Sequence, residues 1–254
     1  MFFYGKILLG GATREYKKIS SELYDFTKPI GKSLDGDLEF YYQEIKDFKG
    51  PILEAGVGTG RLLIPYLERG LKIEGLDYSQ EMLDLCKKNL DKRGLKTRLY
   101  RQDLKTMSLD KKFEAIIMPT GSICLIDNID LLLKNFYDHL RDQGKIFIDL
   151  IFPLDFKPGC RSQIYRLSPS ESIVYTSNNE KIDFLEQKTY CLNRYEKWVD
   201  DKLVDSELAE FNLNWYGIRE FSLLLEKHGF TNIEYIRGYG GQADYLVTFR
   251  AQKN

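Results

Sequence analysis

Gly50-Pro-Ile-Leu-Glu-Ala-Gly-Val-Gly-Thr-Gly-Arg-Leu-Leu-Ile-Pro-Tyr-Leu-Glu-Arg-Gly-Leu-Lys-Ile-Glu-Gly-Leu-Asp-Tyr-Ser79 is the stretch around which the rest of the chain is organised. Pro51 to Ala55 is a short apolar run carrying an acid near its end, the pattern of a buried strand. Gly56, Gly58 and Gly60 then turn the chain without Cβ atoms, so that backbone can approach a ligand closely. Arg61 to Arg69 resumes at helical spacing through Leu62, Leu63, Tyr66 and Leu67, and Gly70 stops it. Leu71 to Asp77 is a second apolar strand that closes on a carboxylate. Strand, glycine turn, helix and strand with a terminal acid make half of a nucleotide-binding α/β sheet. Bare amides at the helix start favour electron-rich groups. Asp77, roughly twenty residues past the turn, is placed to accept from a ribose diol. An adenosine-containing cofactor is the expected ligand.

The order of the glycines narrows the choice. A dinucleotide fingerprint needs G-x-G-x-x-G, and Arg61 stands where its third glycine belongs. A phosphate-binding P-loop fails as well, since no Gly-Lys-Ser/Thr follows. Glu54-x-Gly56-x-Gly58-x-Gly60, with Asp77 in Gly-Leu-Asp-Tyr-Ser-x-x-Met-Leu, resembles the class I S-adenosylmethionine-dependent methyltransferases. That resemblance implies Glu54 near the methionine ammonium, Asp77 on the ribose hydroxyls, and further cofactor contacts from Tyr78 and Met82. It also implies S-adenosylhomocysteine as product.

Composition sets outer bounds. At 254 residues the chain accommodates one large α/β domain with a smaller insertion. A formal net charge of -1 gives no extended nucleic-acid footprint and leaves room only for a local basic patch. The four cysteines (Cys86, Cys124, Cys160, Cys191) are scattered, and His139 and His228 are the two histidines. This usage fits reduced thiols in a cytoplasmic protein, with neither a disulfide frame nor a metal site. Ile7 to Leu9 is too short for a membrane span.

Outside the opening unit, Ser20–Phe26 and Leu38–Phe48 have helical periodicity, separated by the Pro- and Gly-containing Asp25–Gly31 loop. A leading helix with a Tyr-Asp pair closes over the cofactor in many methyltransferases of this kind, and Tyr24-Asp25 matches it. Glu81–Lys92 is amphipathic and stops at Gly94. Lys96–Arg101 reads as a third strand, and the resemblance places the following Asp103-Leu104 at the adenine. Phe113–Met118 is a continuous apolar run, the mark of a central parallel strand, ending at Pro119. The Asn/Asp-Pro-Pro-Tyr/Phe motif of enzymes acting on nucleobase amino groups is absent. Asp130–Leu140 reads as a helix and Lys145–Ile151 as the fifth strand. Pro119-x-x-Ser122, then Leu140-x-x-x-Gly144-x-x-x-Ile148-Asp149, resembles a branch that acts mainly on small molecules.

From Pro153 to about Trp215 the rhythm changes to alternating, β-rich segments (Ile173–Ser177, Phe184–Tyr195, Leu203–Leu213), with turns expected at Ser177-Asn-Asn-Glu and Asp200-Asp201-Lys202. Arg219–His228 is the last helix, and Phe230–Ile236 and Tyr245–Arg250 close the sheet. The expected fold is therefore a Rossmann-like, seven-stranded, mostly parallel sheet with one antiparallel strand. Residues 1–152 and 216–254 form the cofactor-binding core, and 153–215 an antiparallel β lid inserted before the last helix.

Methyl transfer from a sulfonium is an in-line displacement that asks mainly for alignment and exclusion of water. No nucleophile–His–acid constellation is therefore expected, and no catalytic base is singled out. Ser122, Arg194, Tyr195, Trp215, Tyr216 and Arg219 are candidates to meet a small-molecule acceptor in a closed pocket of roughly a few hundred Å³. An RNA or protein acceptor, a non-catalytic cofactor-binding protein and a nicotinamide oxidoreductase stay open as alternatives.

Overall fold

The computed structural model describes residues 16–241 and 243–254. Two helices lead, α1 (Lys18–Thr27) and α2 (Asp37–Ile45). An alternating α/β unit follows: β1 (Ile52–Ala55), α3 (Leu63–Glu68), β2 (Ile73–Asp77), α4 (Gln80–Asp91), β3 (Leu99–Arg101), β4 (Phe113–Met118), α5 (Ile129–His139) and β5 (Leu140–Ile151). A four-stranded meander comes next, made of β6 (Gly159–Arg166), β7 (Glu171–Asp183), β8 (Lys188–Val199) and β9 (Lys202–Glu210). α6 (Ile218–Lys227), β10 (Phe230–Arg237) and β11 (Ala243–Lys253) return to the first sheet.

The larger sheet has the order β10-β11-β5-β4-β1-β2-β3. β1 to β5 run parallel, and β11 is inserted antiparallel between β5 and β10, with Thr248 opposite Asp149. This is the expected seven-stranded, Rossmann-like sheet with one reversed strand. Its central strands are mostly apolar because helices cover both faces. Every residue of β1 is buried, as are five of the six in β4. One core layer gathers around Phe136, Phe221 and Phe249, the other around Tyr41, Tyr66 and Phe147.

Several local expectations are corrected. α3 spans six residues (Leu63–Glu68) rather than Arg61–Arg69. Pro65, which has no N–H to give, is confined to the first turn of a helix, and the Arg61 side chain is held by Asp37 instead of lying on a helical face. In the meander, β7 runs straight through Ser177–Glu180, where a turn was expected. Asn179 there donates to the Lys157 carbonyl, and a register irregularity between Asn179 and Lys181 absorbs the polar pair. The turn falls instead at Phe184–Gln187, where the Asp183 carboxylate accepts from the Leu185 and Glu186 amides. Phe184 and Leu185 consequently sit on an exposed tip and not within a strand. β6 had no counterpart in the sequence reading. Asp200 and Asp201 do turn the chain, both at positive φ.

Candidate functional site

The glycine turn leaves β1 at the carboxyl edge of the parallel sheet, the edge where open α/β sheets bind ligands. Gly58 has φ +54°, and a Cβ added there would meet only the Tyr24 ring at 3.8 Å and Met82 Sδ at 4.0 Å. The Gly58 backbone therefore faces a space bounded by those two side chains. Gly60 does a different job: a Cβ there would lie 2.9 Å from Cys86 Sγ, so this glycine lets α4 pack close. Asp77, at the end of β2, accepts from the Gly58 amide at 2.8 Å through Oδ2 and from the Ser79 amide at 2.9 Å through Oδ1. These bonds fix the carboxylate, and each oxygen keeps a lone pair for a hydroxyl. Burial pushes the Asp77 pKa up, while the Ser79, Gly58 and Tyr78 amides oppose the shift.

Glu54 is the second acid of the turn. It is buried to 3% exposure, and its Oε2 has no hydrogen-bond partner among the described residues. Burial pushes its pKa up to about 8, with Arg61 opposing and Asp37 and Asp77 reinforcing. An orphaned buried carboxylate oxygen costs free energy unless a donor or a cation meets it. An ammonium group satisfies that requirement, so the chemistry of the site fits the amino-acid end of S-adenosylmethionine.

The cover over the turn is built by α1. Tyr24 lies over Gly58, Tyr16 stacks edge-on against Tyr24 at 5.7 Å, and Lys28 Nζ stands 4.3 Å from the Tyr24 ring centre. Asn89 on α4 donates to Asp25 at 2.9 Å and to the Thr59 carbonyl at 3.2 Å, which ties α1 to the turn. Arg61, 4% exposed, pairs with the fully buried Asp37 at 2.6 Å and donates to the Lys32 carbonyl at 2.8 Å. Ser122, in the 3-10 turn Ser122–Leu125 after β4, packs against Gly56 from the other side.

The meander reaches this cover from outside. Glu207 on β9 accepts from the Ile19 and Ser20 amides at 2.5 and 2.9 Å, capping the amino end of α1. Lys197 on β8 pairs with Glu22 at 2.6 Å. Ile173 and Tyr195 from the meander bury against Ile19 and Leu23. Tyr175 and Tyr195 lie side by side at 5.1 Å, and the Tyr175 hydroxyl donates to the buried Asn193 amide oxygen at 3.1 Å.

The structure thus brings Tyr24, Glu54, Gly56, Gly58, Gly60, Asp77, Met82 and Ser122 together, with Tyr195 on the sheet that leans over them. Leu104 and Pro119 are buried at the ends of their strands, and Asp103 holds its own turn by accepting from the Lys105 amide at 2.9 Å. Five of the residues singled out lie differently. Tyr78 is 57% exposed beside Asp77. Arg194 is exposed and pairs with Glu196, two positions along the same strand and so on the face away from Asn193 and Tyr195. Arg219 is exposed on α6. Trp215 packs edge-on against Phe184 at 6.1 Å, at the meander tip. Tyr216 borders Phe221 and the core, and burial pushes its pKa up to about 12.

Sequence reasoning missed two features. One is the buried Arg61–Asp37 pair, whose partners are 24 residues apart with nothing local to link them. The other is Asp149 on β5, which accepts from Tyr41 Oη, Tyr239 Oη, Thr248 Oγ1 and the Thr120 amide at 2.5 to 2.8 Å. Burial raises its pKa to about 6 against those donors. An acid at the end of an apolar strand was the available signal. It had been read at β1 and β2 as a ligand contact, and here it holds the loop after β4 and the strand that closes the sheet.

Residues 52–144 match the family described as a methyltransferase domain. A phosphatidylethanolamine N-methyltransferase from Cereibacter sphaeroides is 28% identical over 112 residues, 43% of this chain and 53% of that relative. A demethylmenaquinone methyltransferase from Tropheryma whipplei is 26% identical over 188 residues, 73% of this chain and 68% of that one. The chain thus spans about half the length of the first of these relatives and two thirds of the second. Among solved structures, the sugar N-methyltransferase KedS8 from Streptoalloteichus aligns with a TM-score of 0.75 at 19% identity, covering 96% of this chain and 98% of that one. The glycine turn, the reversed strand and the domain match agree. Residues 52–144 thus carry a methyltransferase domain, set in a sheet with the fold of the S-adenosylmethionine-dependent methyltransferases.

Proposed function

We propose that this protein methylates a small-molecule acceptor held between the glycine turn and the inner face of the four-stranded sheet. One observation carries the reading: α1 contacts both. Its Tyr24 covers Gly58, while its amino end is capped by Glu207 from the sheet. A cofactor cover clasped by the acceptor-side sheet favours an enclosed site over an open groove for a polymer. The KedS8 alignment extends over 96% of the chain, and the sugar acceptor of that enzyme supports a small molecule here.

When bound, S-adenosylmethionine would supply a methyl carbon activated by its sulfonium, with S-adenosylhomocysteine leaving as the acceptor lone pair bonds that carbon. The chain's own residues then have three tasks. Glu54 meets the ammonium and Asp77 the ribose diol, so that binding energy is spent on position. Tyr24, Met82 and Ser122 border the turn and keep water from it. The tyrosines of the cover and sheet act as neutral donors, since burial raises the pKa of Tyr24, Tyr175 and Tyr195 above that of free tyrosine. None of them is a base at neutral pH, so the acceptor must arrive with a free lone pair. Residues 153–215 serve in this reading as the acceptor lid, with the remainder as the cofactor-binding core.

The test is transfer of labelled methyl from S-adenosylmethionine into fractionated metabolite pools, run alongside RNA and protein fractions. Label in a low-molecular-weight product is the expected result. Label confined to RNA or protein would overturn the proposal.

A further inference from the structure

Two open concavities lie at the opposite end of the sheet from the glycine turn, among the amino ends of its strands. They have nearly the same volume, about 620 and 660 Å³. Their charges differ. In the larger, Arg250 is paired with Glu44 and reaches Glu234, and with Asp47 and Glu114 against Lys145 the acids of its lining outnumber the bases. The smaller is lined by Lys72, Lys96, Lys111, Lys112 and Arg141 against a single acid, Glu74.

Glu74 is already engaged. It pairs with Lys111 at 2.7 Å and accepts from the Tyr100 hydroxyl at 2.8 Å. Among the described residues, Lys72, Lys96, Lys112 and Arg141 form no ion pair within 4.0 Å. Each stands at the start of a different strand: Lys72 before β2, Lys96 before β3, Lys112 before β4 and Arg141 in β5. The parallel register of the sheet is what gathers them. Between them lies an apolar floor of Leu67, Leu71 and Ile73. In a chain of net charge -1 this is a strong local excess of positive charge, and like charges around one hollow repel until an anion enters. The volume falls in the range of small-ligand sites, roughly 300–1,000 Å³.

We propose that this concavity is a second ligand site, for an organic polyphosphate anion of nucleotide size. The four unpaired cations would take the phosphates, and the aliphatic floor would carry the uncharged body of the ligand. The site is remote from the glycine turn and independent of how methyl transfer proceeds. No residue of one borders the other.

Calorimetry with magnesium-free ATP is the direct probe, with adenosine as the uncharged control. ATP is expected to bind with saturating S-adenosylhomocysteine present, at least about tenfold tighter than adenosine, and to weaken as salt rises from ~50 to ~200 mM. The quadruple substitution Lys72→Gln, Lys96→Gln, Lys112→Gln, Arg141→Gln should reduce ATP affinity at least about tenfold while the melting temperature and S-adenosylhomocysteine affinity stay unchanged. These side chains are exposed. Should the quadruple variant still melt early, Lys72→Gln with Lys96→Gln alone must show the same direction of change. Absence of ATP binding up to millimolar concentration overturns the proposal. So does displacement of ATP by S-adenosylhomocysteine, or undiminished binding by the charge variants.

Discussion

The two sheets of this molecule stand at opposite ends of a scale of burial. In the seven-stranded sheet, β1 is buried throughout and β4 nearly so, with helices on both faces. In the four-stranded sheet, Ile173, Thr189, Asn193 and Tyr195 are the buried residues, and α1 packs on one face. Local stability follows the density of buried apolar contacts. The first sheet therefore holds its geometry from within, and the second borrows much of its footing from α1. The glycine turn rests on backbone and on two acids, Glu54 and Asp77, carried by buried strands. The proposed acceptor side rests on side chains of a sheet with few buried residues.

The largest effect should come from removing that layer. Replacing residues 160–210 by a short linker should lower methyl transfer to the native acceptor more than ~100-fold, since alignment of the acceptor is lost. S-adenosylhomocysteine should still bind, more weakly, because α1 loses the Glu207 cap. Undiminished transfer by a folded, lidless protein would return the case to a large, open-groove substrate.

Asp77→Ala strikes the other sheet. Two backbone amides lose their acceptor and a diol loses its charged partner, so cofactor affinity should fall by about 1–3 kcal/mol. Equal affinities by calorimetry would remove Asp77 from the site.

Glu54→Gln separates stability from binding. The Glu54 pKa is about 8 in the fold, against an ordinary value of 4.5. Between those values the unfolded chain has released a proton that the folded one retains, so apo stability falls as pH rises from 4.5 to about 8. Gln removes that slope. Near pH 8 the variant should melt higher than the parent by an amount on the order of 1 kcal/mol, while binding S-adenosylhomocysteine more weakly. In the parent, cofactor affinity should rise through that same window as the carboxylate ionises to meet an ammonium. A pH-independent affinity would argue that Glu54 does not contact the charged group.

Glu207→Ala is the mildest change. It deletes a cap worth about 1 kcal/mol, and hydrogen exchange should quicken in α1 and the meander while β1, β4 and β5 stay protected. Equal quickening in the large sheet would mean that the two sheets are not separable units.

The large sheet was legible in sequence because its signals are local and redundant. Apolar runs of strand length, a glycine turn and acids at strand ends point the same way in β1, β2 and β4. The acceptor side was harder for identifiable reasons. Ser177-Asn-Asn-Glu has turn chemistry, yet Ser177, Asn178 and Asn179 pair with β6 on one side and β8 on the other, so tertiary pairing overrides the local preference. Arg194 and Tyr195 are neighbours in sequence, and the period of two in a strand sends them to opposite faces. Which face turned inward depended on α1, about 175 residues away in the chain, as its Lys197–Glu22 pair shows. Separation along the chain likewise hid Asp37 from Arg61, 24 residues apart, and Tyr239 from Asp149, 90 apart.

The reversed strand also bears on the order in which the chain can fold. β5 and β11 meet at Ile151 and Leu246, and the whole meander and α6 lie in the loop between them. Closing a long loop costs entropy that grows with the logarithm of its length. The meander is a run of neighbouring hairpins, contacts of short range that form early. Once formed, it draws residues 159 and 210 toward each other and shortens the loop that β11 must close. On that order the four-stranded layer aids closure of the larger sheet. Pulse-labelled hydrogen exchange during refolding should protect β7 and β8 before β11; protection of β11 first would reverse that order.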